Sequence, residues 1–364
     1  EIASCLVGSE MCIRDRYLAP GYAYDGQTSW GLANPGNPGL KWEEQGLLTI
    51  GVDIELWRKL SLEVQYYRRE TTNMLMDIPQ APSTGFTSHP GNVGGMRNAG
   101  IDVTLNYDIY ASRDWFVNFH ATFNYNKNKL TKMWPGAPDK VPAGSYLYFV
   151  KDGAYPTWGM PEWRGVDPAS GRPQWTGADG EITNNYAEAD IVYFDKSIFA
   201  PYTGGFGITA QWKGISLTAD FAWVAGNYMV NNNLYFAANS ENALSGLNQV
   251  TEVLDYWKPD DRYGKKYPSL EYSAKAGGGT QFDSRMLEDA SFLRLKNIQI
   301  AYTLPSHLLK KTRFIKGLKV YVGARNLWTL TGYNGFDPEV AENVFDTDIY
   351  PNSRQWTFGL EFKF

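Results

Sequence analysis

The chain has 364 residues and a formal net charge of -5, with a pI near 5.4, so it carries no basic footprint for nucleic acid. Mean hydropathy is -0.40 and no apolar run exceeds five residues, as at Tyr146–Val150 and Phe221–Ala225. A membrane-spanning helix, which needs about 20 apolar residues, is therefore excluded. A membrane β-barrel is not, because its strands conceal their apolarity in alternation. Aromatic residues reach 15%, with 24 Tyr and 13 Trp beside 36 Gly, a composition that favours strands over helices.

In chain order, the N-terminal stretch holds both cysteines, Cys5 and Cys12, with no further Cys or His placed to complete a redox or metal site. Its "LVGSEMCIRDR" (Leu6 to Arg16) resembles the translation of a sequencing adapter, so residues 1–16 are expected to be foreign and residues 17–364 the native part. Period-two alternation then predicts strands over Leu48–Ile54 and Leu62–Tyr66. It continues through Ile101–Ile109, Trp115–Tyr125, Phe206–Trp212, Ile215–Trp223, Ser291–Leu304 and Leu318–Ala324, and ends at Arg354–Phe364. The phase slips near Lys296–Asn297, as a β-bulge would cause. Trp356, Phe358, Leu360, Phe362 and Phe364 alternate with polar residues up to the last position.

The connections fall into two classes. Leu56–Lys59, Ala111–Asp114 and Lys213–Gly214 are tight turns, and Pro305–Gly317 has room for a helical turn. Segments 76–96, 129–203, 229–290 and 331–351 are long, rich in Gly, Pro, Asn and Asp, and predict loops with local structure. Short and long connections alternate, which in an up-and-down antiparallel sheet puts all turns at one rim and all loops at the other. That asymmetry, with the periplasmic side carrying the turns, is the bacterial outer-membrane barrel pattern. None of the apolar alternating positions is charged, and Trp42, Trp57, Trp115, Trp212, Trp223 and Trp328 fall near strand ends, where an aromatic girdle sits. A soluble β-sandwich also alternates, but it does not require the loop asymmetry. The count of nine to ten strands falls short of a closed barrel, so further strands are expected upstream and the sheet is expected to have two open edges.

Chemistry is sparse. His89, His120 and His307 fall in a loop, on a lumen-facing position and in a turn, and no phosphate loop, nucleophile elbow or spaced metal ligands occur. No catalytic or metal-binding residue and no cofactor is predicted. Asp190 and Asp195 share a loop and could act as an acid–base pair, although chance pairs are common in such segments. Asp337 and Glu339 in "GFDPE" suggest a calcium site less well than a Pro-fixed turn with a solvated acidic end. The 129–203 segment concentrates Trp134, Tyr146, Tyr148, Phe149, Tyr155, Trp158, Trp163 and Trp175. As a group these rings are candidates for stacking on sugars or anchoring a partner, with Trp134, Trp158, Trp163 and Trp175 singled out; each alone more readily packs its own loop.

Six stretches carry a family likeness: "NPGNPGLKWEEQ" (Asn34 to Gln45), "NVGGMRNAGIDVTLNY" (Asn92 to Tyr107), "FNYNKNKL" (Phe123 to Leu130), "GVDPASGRPQW" (Gly165 to Trp175), "DASFLRLKNIQIAYTLP" (Asp289 to Pro305) and "ARNLWTLTGYNGFDPE" (Ala324 to Glu339). In this order they resemble the C-terminal part of SusC/RagA-type TonB-dependent outer-membrane transporters of Bacteroidetes. The resemblance implies an all-β, antiparallel transmembrane barrel of 22 strands with a plugged lumen, one of the known barrel sizes. It implies import of oligosaccharides or peptides across the cell outer membrane, beside a SusD-like surface lipoprotein. Energy from TonB–ExbB–ExbD would enter through the plug and TonB box, which lie upstream of these residues. The closing strand, Trp356, Phe358, Leu360, Phe362 and Phe364, resembles the signal read by the barrel-assembly machinery, with its apolar face toward outer-membrane lipid. A siderophore-type receptor or porin, and a secreted carbohydrate-binding or -degrading β module, are the alternatives.

Overall fold

The computed structural model describes residues 17–24, 27–239, 246–270, 281–309, 314–339 and 350–364. The adapter-like residues 1–16, with Cys5 and Cys12, lie outside the described residues, as do parts of three of the connections. Nine strands form one antiparallel wall: β1 (Glu44–Leu56), β2 (Leu60–Pro79), β3 (Ser88–Ala111), β4 (Trp115–Lys132), β5 (Tyr202–Trp212), β6 (Ile215–Ala225), β7 (Phe292–Thr303), β8 (Gly317–Thr331) and β9 (Gln355–Lys363). They hydrogen-bond in strict chain order from β1 to β9, with the outer edges of β1 and β9 unpaired among the described residues. Seven of the nine alternating segments of the sequence lie within one of these strands, and Ser291–Leu304 and Arg354–Phe364 overrun β7 and β9 by one residue at each end.

Register makes the alternation continuous across the wall. Val64 of β2 faces Val103 of β3, which faces Phe123 of β4. Phe206 of β5 lies between Ala121 and Phe221, and Ala324 of β8 lies between Ile298 and Trp356. One face is therefore apolar from end to end, and its side chains are open: Ile50, Val52, Ile300, Phe358 and Leu360 are all exposed. A soluble sheet would cover such a face with a second layer. The ladder shifts between Leu295 and Asn297, the bulge that the broken phase predicts.

The tight turns follow from the twist of the strands. Trp57 and Arg58 have φ of 54° and 55°, and Lys213 and Gly214 have φ of 45° and 88°; two successive left-handed residues make the type I′ hairpin that matches right-handed strand twist. At this rim Trp57, Trp115 and Trp212 are exposed, the last two stacked at 5.4 Å. At the far end of the band Tyr125 stacks on Tyr202 at 5.1 Å. The ten steps from Trp115 to Tyr125 span about 34 Å of strand. With a strand tilt of about 35–45° that gives a band about 25 Å tall, the apolar height of an outer-membrane barrel.

Segment 76–96 departs from expectation. β2 and β3 run through most of it, leaving only residues 80–87 as a connection. Alternation is lost there because the face that would otherwise be polar is covered by protein: Met74 and Met76 are buried with Leu130 and Met133 under Trp134, Phe149 and Tyr155. The glycines read as loop markers are packing sites instead. A Cβ on Gly94 would lie 2.7 Å from Met76 Sδ, and one on Gly91 would lie 2.6 Å from Ile78 Cδ1.

The other long connections fold into a layer at the loop rim. Four short strands, Lys140–Gly144, Leu147–Val150, Thr157–Pro161 and Ile191–Ser197, form one sheet, and Trp163–Val166, Pro173–Thr176 and Ile182–Thr183 another. Tyr228–Val230 pairs with Leu287–Asp289, so the 229–290 segment leaves the wall and returns at one place. Pro305–Gly317 does contain a helical turn, Ser306–Leu309. An additional hairpin, Tyr17–Tyr24 with Gln27–Asn34, precedes the wall; its residues carry no clean alternation.

Candidate functional site

Two surfaces hold the polar chemistry: the inward face of the wall and the layer above it. Opposite the apolar face, amides and carboxylates meet across strands. Asn118 Nδ2 donates to Asn106 Oδ1 at 2.6 Å and to Asp108 Oδ1 at 2.8 Å, and Asn128 Nδ2 donates to Asn98 Oδ1 at 2.8 Å. His120 sits on this face as expected. Its Nε2 lies 3.3 Å from Asp220 Oδ1, and Asp220 also accepts from Asn297 Nδ2 at 3.1 Å. The strand between His120 and Asp220 contributes Gly207, whose absent Cβ would lie 2.5 Å from both side chains. Glycine is what lets the pair reach across β5. Half-exposed amides, hydroxyls and carboxylates of this kind suit a wetted surface that offers hydrogen bonds to polar matter.

The rim layer has its own core. Trp158, Met160, Val230 and Met286 are buried together under Tyr146, Phe194 and Phe282. The Trp158 indole donates to the Tyr228 carbonyl at 3.1 Å. Asp283, fully buried, accepts from the Trp175 indole at 2.9 Å and from Arg285 Nε and Nη2 at 2.9 and 2.7 Å. The Arg285 guanidinium lies 3.7 Å from the Trp163 ring centre. Tyr186 donates to the Phe282 carbonyl at 2.6 Å, and burial pushes its hydroxyl well above the usual tyrosine range. These contacts tie the 129–203 segment to the 229–290 segment.

Of the four singled-out tryptophans, Trp158 and Trp175 are thus interior to the layer, while Trp134 and Trp163 are half-buried. Asp190 and Asp195 do not form an acid–base pair. Four residues of strand lie between them, and five steps put their backbones about 16 Å apart, beyond the roughly 5–9.5 Å of paired catalytic carboxylates. The "GFDPE" acidic end is not solvated. Asp337, 3% exposed, is ion-paired to Arg294 at 2.6 Å, and Glu339 pairs with Arg294 and Lys296. Burial alone would raise the Asp337 carboxyl; hydrogen bonds from Arg294 and from the N–H groups of Glu339 and Asn352 outweigh it and hold the carboxyl below its ordinary value. With a guanidinium in the site, these oxygens are already satisfied without a metal ion. Among the described residues no group of three His, Cys, Asp or Glu could hold a metal ion. Alternation puts Arg294 at an inward position of β7, but no sequence pattern joins it to the acidic turn forty-three positions later.

A membrane-height apolar wall with a polar inner face and a folded rim narrows the comparison, and the model of the TonB dependent receptor-like β-barrel family matches residues 16–209. The chain belongs to that family. It is 26% identical over 92% of its length to TonB-dependent receptor P3 of Formosa agariphila, covering 35% of that protein. It is 24% identical over 93% of its length to TonB-dependent receptor SusC of Bacteroides thetaiotaomicron, covering 34%. Among solved structures, the RagAB peptide transporter matches 96% of the chain with 36% identity and a TM-score of 0.84, the chain covering 38% of it. The chain spans about a third of the length of the curated relatives it matches. The apolar band is therefore the lipid face of a TonB-dependent receptor barrel in the outer membrane, and the inward amides line its lumen.

Proposed function

We propose that the protein to which this barrel wall belongs imports an oligomeric nutrient, a peptide or an oligosaccharide, across the outer membrane. The observation that carries this is the combination of a polar lumen wall with a rigid, self-cored rim layer, on a chain 36% identical to part of a peptide transporter. A passive pore needs the first and not the second. The rim layer provides a preformed surface for a SusD-like surface lipoprotein, and TonB energises the passage through segments outside this chain. Trp134 and Trp163, each half-buried, are the members of the tryptophan group that would touch substrate or lid; Trp175 packs edge-on against Trp163, and Trp134 rests on the cluster of Met74, Met76, Leu130 and Met133. The wall itself carries no catalytic centre in this reading.

The test uses the full-length protein in cells. Uptake of a peptide pool and of an oligosaccharide pool is measured with TonB present and absent. Uptake of one pool that disappears without TonB is the expected result; uptake indifferent to TonB would refute energised import and leave a porin. Replacing Trp134 and Trp163 with Ala is expected to weaken substrate or lipoprotein binding, and unchanged binding of both would remove these rings from the site.

A further inference from the structure

The outward face changes character abruptly above the aromatic border, and it does so on only part of the wall. One register row there reads Ile50, Tyr66, Ile101, Tyr125 and Tyr202 from β1 to β5. The next outward row toward the loop rim reads Leu48, Arg68, Ala99 and Lys127, and the one after it Gly46, Glu70, Arg97 and Lys129. Within two pleats the surface passes from apolar to cationic. On β6, β7 and β8 the uppermost outward row in register reads Trp223, Leu293 and Leu330, none of them charged. Beside the β4 lysines lies a cavity of about 300 Å³, walled by Tyr125, Lys127, Lys129, Lys196, Tyr202 and Tyr228. Lys196 Nζ lies 3.8 Å from the Tyr228 ring centre, and Lys129 pairs with Asp152 at 2.9 Å. Arg68 and Arg97 share Glu70, each at 2.7 Å. Counting Asp195 on the cavity wall, the patch sets five cations against three carboxylates, and Lys127 forms no ion pair among the described residues.

We propose that this patch is a binding site for the phosphate of an anionic lipid headgroup in the outer leaflet. It lies where headgroups begin, directly above the Tyr125–Tyr202 stack, and the β4 lysines hold outward register positions on its wall, while Asn126 and Asn128 line its inward side. Lysine and arginine stems cover the aromatic border while their heads reach the phosphate level, and charge-assisted bonds to phosphate are the strong class of hydrogen bond. The cavity admits one phosphorylated sugar headgroup, with Lys127 and Lys196 on the phosphate and Tyr125 and Tyr202 against the acyl–sugar border. The site depends on the outer-membrane placement of the wall and not on what the parent protein imports.

The experiment is native mass spectrometry of the full-length protein in detergent, titrated with phosphorylated lipid A, its dephosphorylated form, and inorganic phosphate as competitor. The wild type is expected to retain the phosphorylated lipid at least tenfold better than the dephosphorylated one. The Lys127→Gln/Lys129→Gln/Lys196→Gln variant is expected to lose most of that preference. Barrel integrity of each variant is checked by heat-modifiable gel mobility, and the single Lys127→Gln variant serves if the triple one does not assemble. Equal retention of the two lipids, or equal preference in an assembled variant, would overturn the proposal. Displacement by inorganic phosphate at millimolar concentration would show a free-anion site and equally overturn the lipid assignment. No substrate or lipoprotein enters the measurement, so its failure leaves the transport proposal standing.

Discussion

Replacing Asp283 with Ala tests whether the rim layer is one body. Asp283 is wholly buried and Arg285 is 14% exposed on its side chain. The carboxylate accepts a bidentate pair from Arg285, the Arg285 N–H at 3.0 Å and the Trp175 indole. Removing one partner of a buried pair costs about 3–5 kcal/mol, because the other charge is left unmatched. At 1.4 kcal/mol per power of ten, the local opening equilibrium should rise by roughly two to three and a half orders of magnitude. The expected readout is faster amide hydrogen exchange in residues 161–176 and 283–287 of the full-length protein in detergent. Ser284 N–H bonded to Pro161 O and Thr176 N–H bonded to Glu162 O are useful reporters. Exchange in β3 to β6 should not change, since the wall ladder does not involve Asp283. Adding Arg285→Met removes the orphaned charge and should restore much of the protection, though not all, because the Trp175 indole still lacks its acceptor. Unchanged exchange in Asp283→Ala, or a double variant no better than the single one, would refute the argument.

The remaining expectations are briefer. Leu105 faces outward between Leu62 and Ala121 near mid-band, so Leu105→Lys should cost about 2–4 kcal/mol in lipid unfolding titrations while Thr104→Lys, on the lumen side, costs little; equal costs would reverse the two faces. The Asp337 carboxyl, depressed below its ordinary 3.8, stabilises the docked 332–339 loop fully above that value and loses the contribution as pH falls through its folded value. Hydrogen exchange of that loop should be flat from pH 8 to about 5 after correction for intrinsic rates, and Asp337→Asn should abolish the acid-side loss. Deleting Phe364, which is exposed and stacks on Phe362 at 6.3 Å, should lower the assembled fraction of the full-length protein on heat-modifiability gels; normal assembly would count against an assembly signal in the last strand.

How much of this was legible in sequence depends on what each side of a strand touches. The nine wall strands separate lipid from water, so Trp115 through Tyr125 must alternate and the pattern reads directly. The bulge at Lys296–Asn297 showed for the same reason: an extra residue must break the phase. Above the band that constraint ends. Met74, Met76 and Leu130 meet protein on the covered face, and neighbouring glycines that suggested a loop are there to admit Met and Ile side chains. The rim strands are only two to seven residues long, too short for a period to emerge. Asp337 was misread because a turn acidic residue is usually solvated, and nothing local reveals that Arg294, forty-three positions earlier, is its partner.

The two buried ion pairs bear on how the rim can work. Arg294 with Asp337 fastens a loop to β7, and Asp283 with Arg285 sits where the 129–203 and 229–290 segments meet. Buried pairs of this kind add little net stability compared with apolar packing, and their attested contribution is selection of one arrangement over others. A barrel needs no such selection at its mouth merely to stay folded, since its ladder already fixes the wall. A surface that must be met by a lid does need it, because ordering loops at the moment of contact would cost about 0.5–1.5 kcal/mol for each immobilised side chain. The charged residues of the rim therefore argue for a preformed docking face more strongly than its aromatic content does. Aromatic rings pack any loop of this composition, whereas a carboxylate with no exposed surface persists only if its partner is held in place.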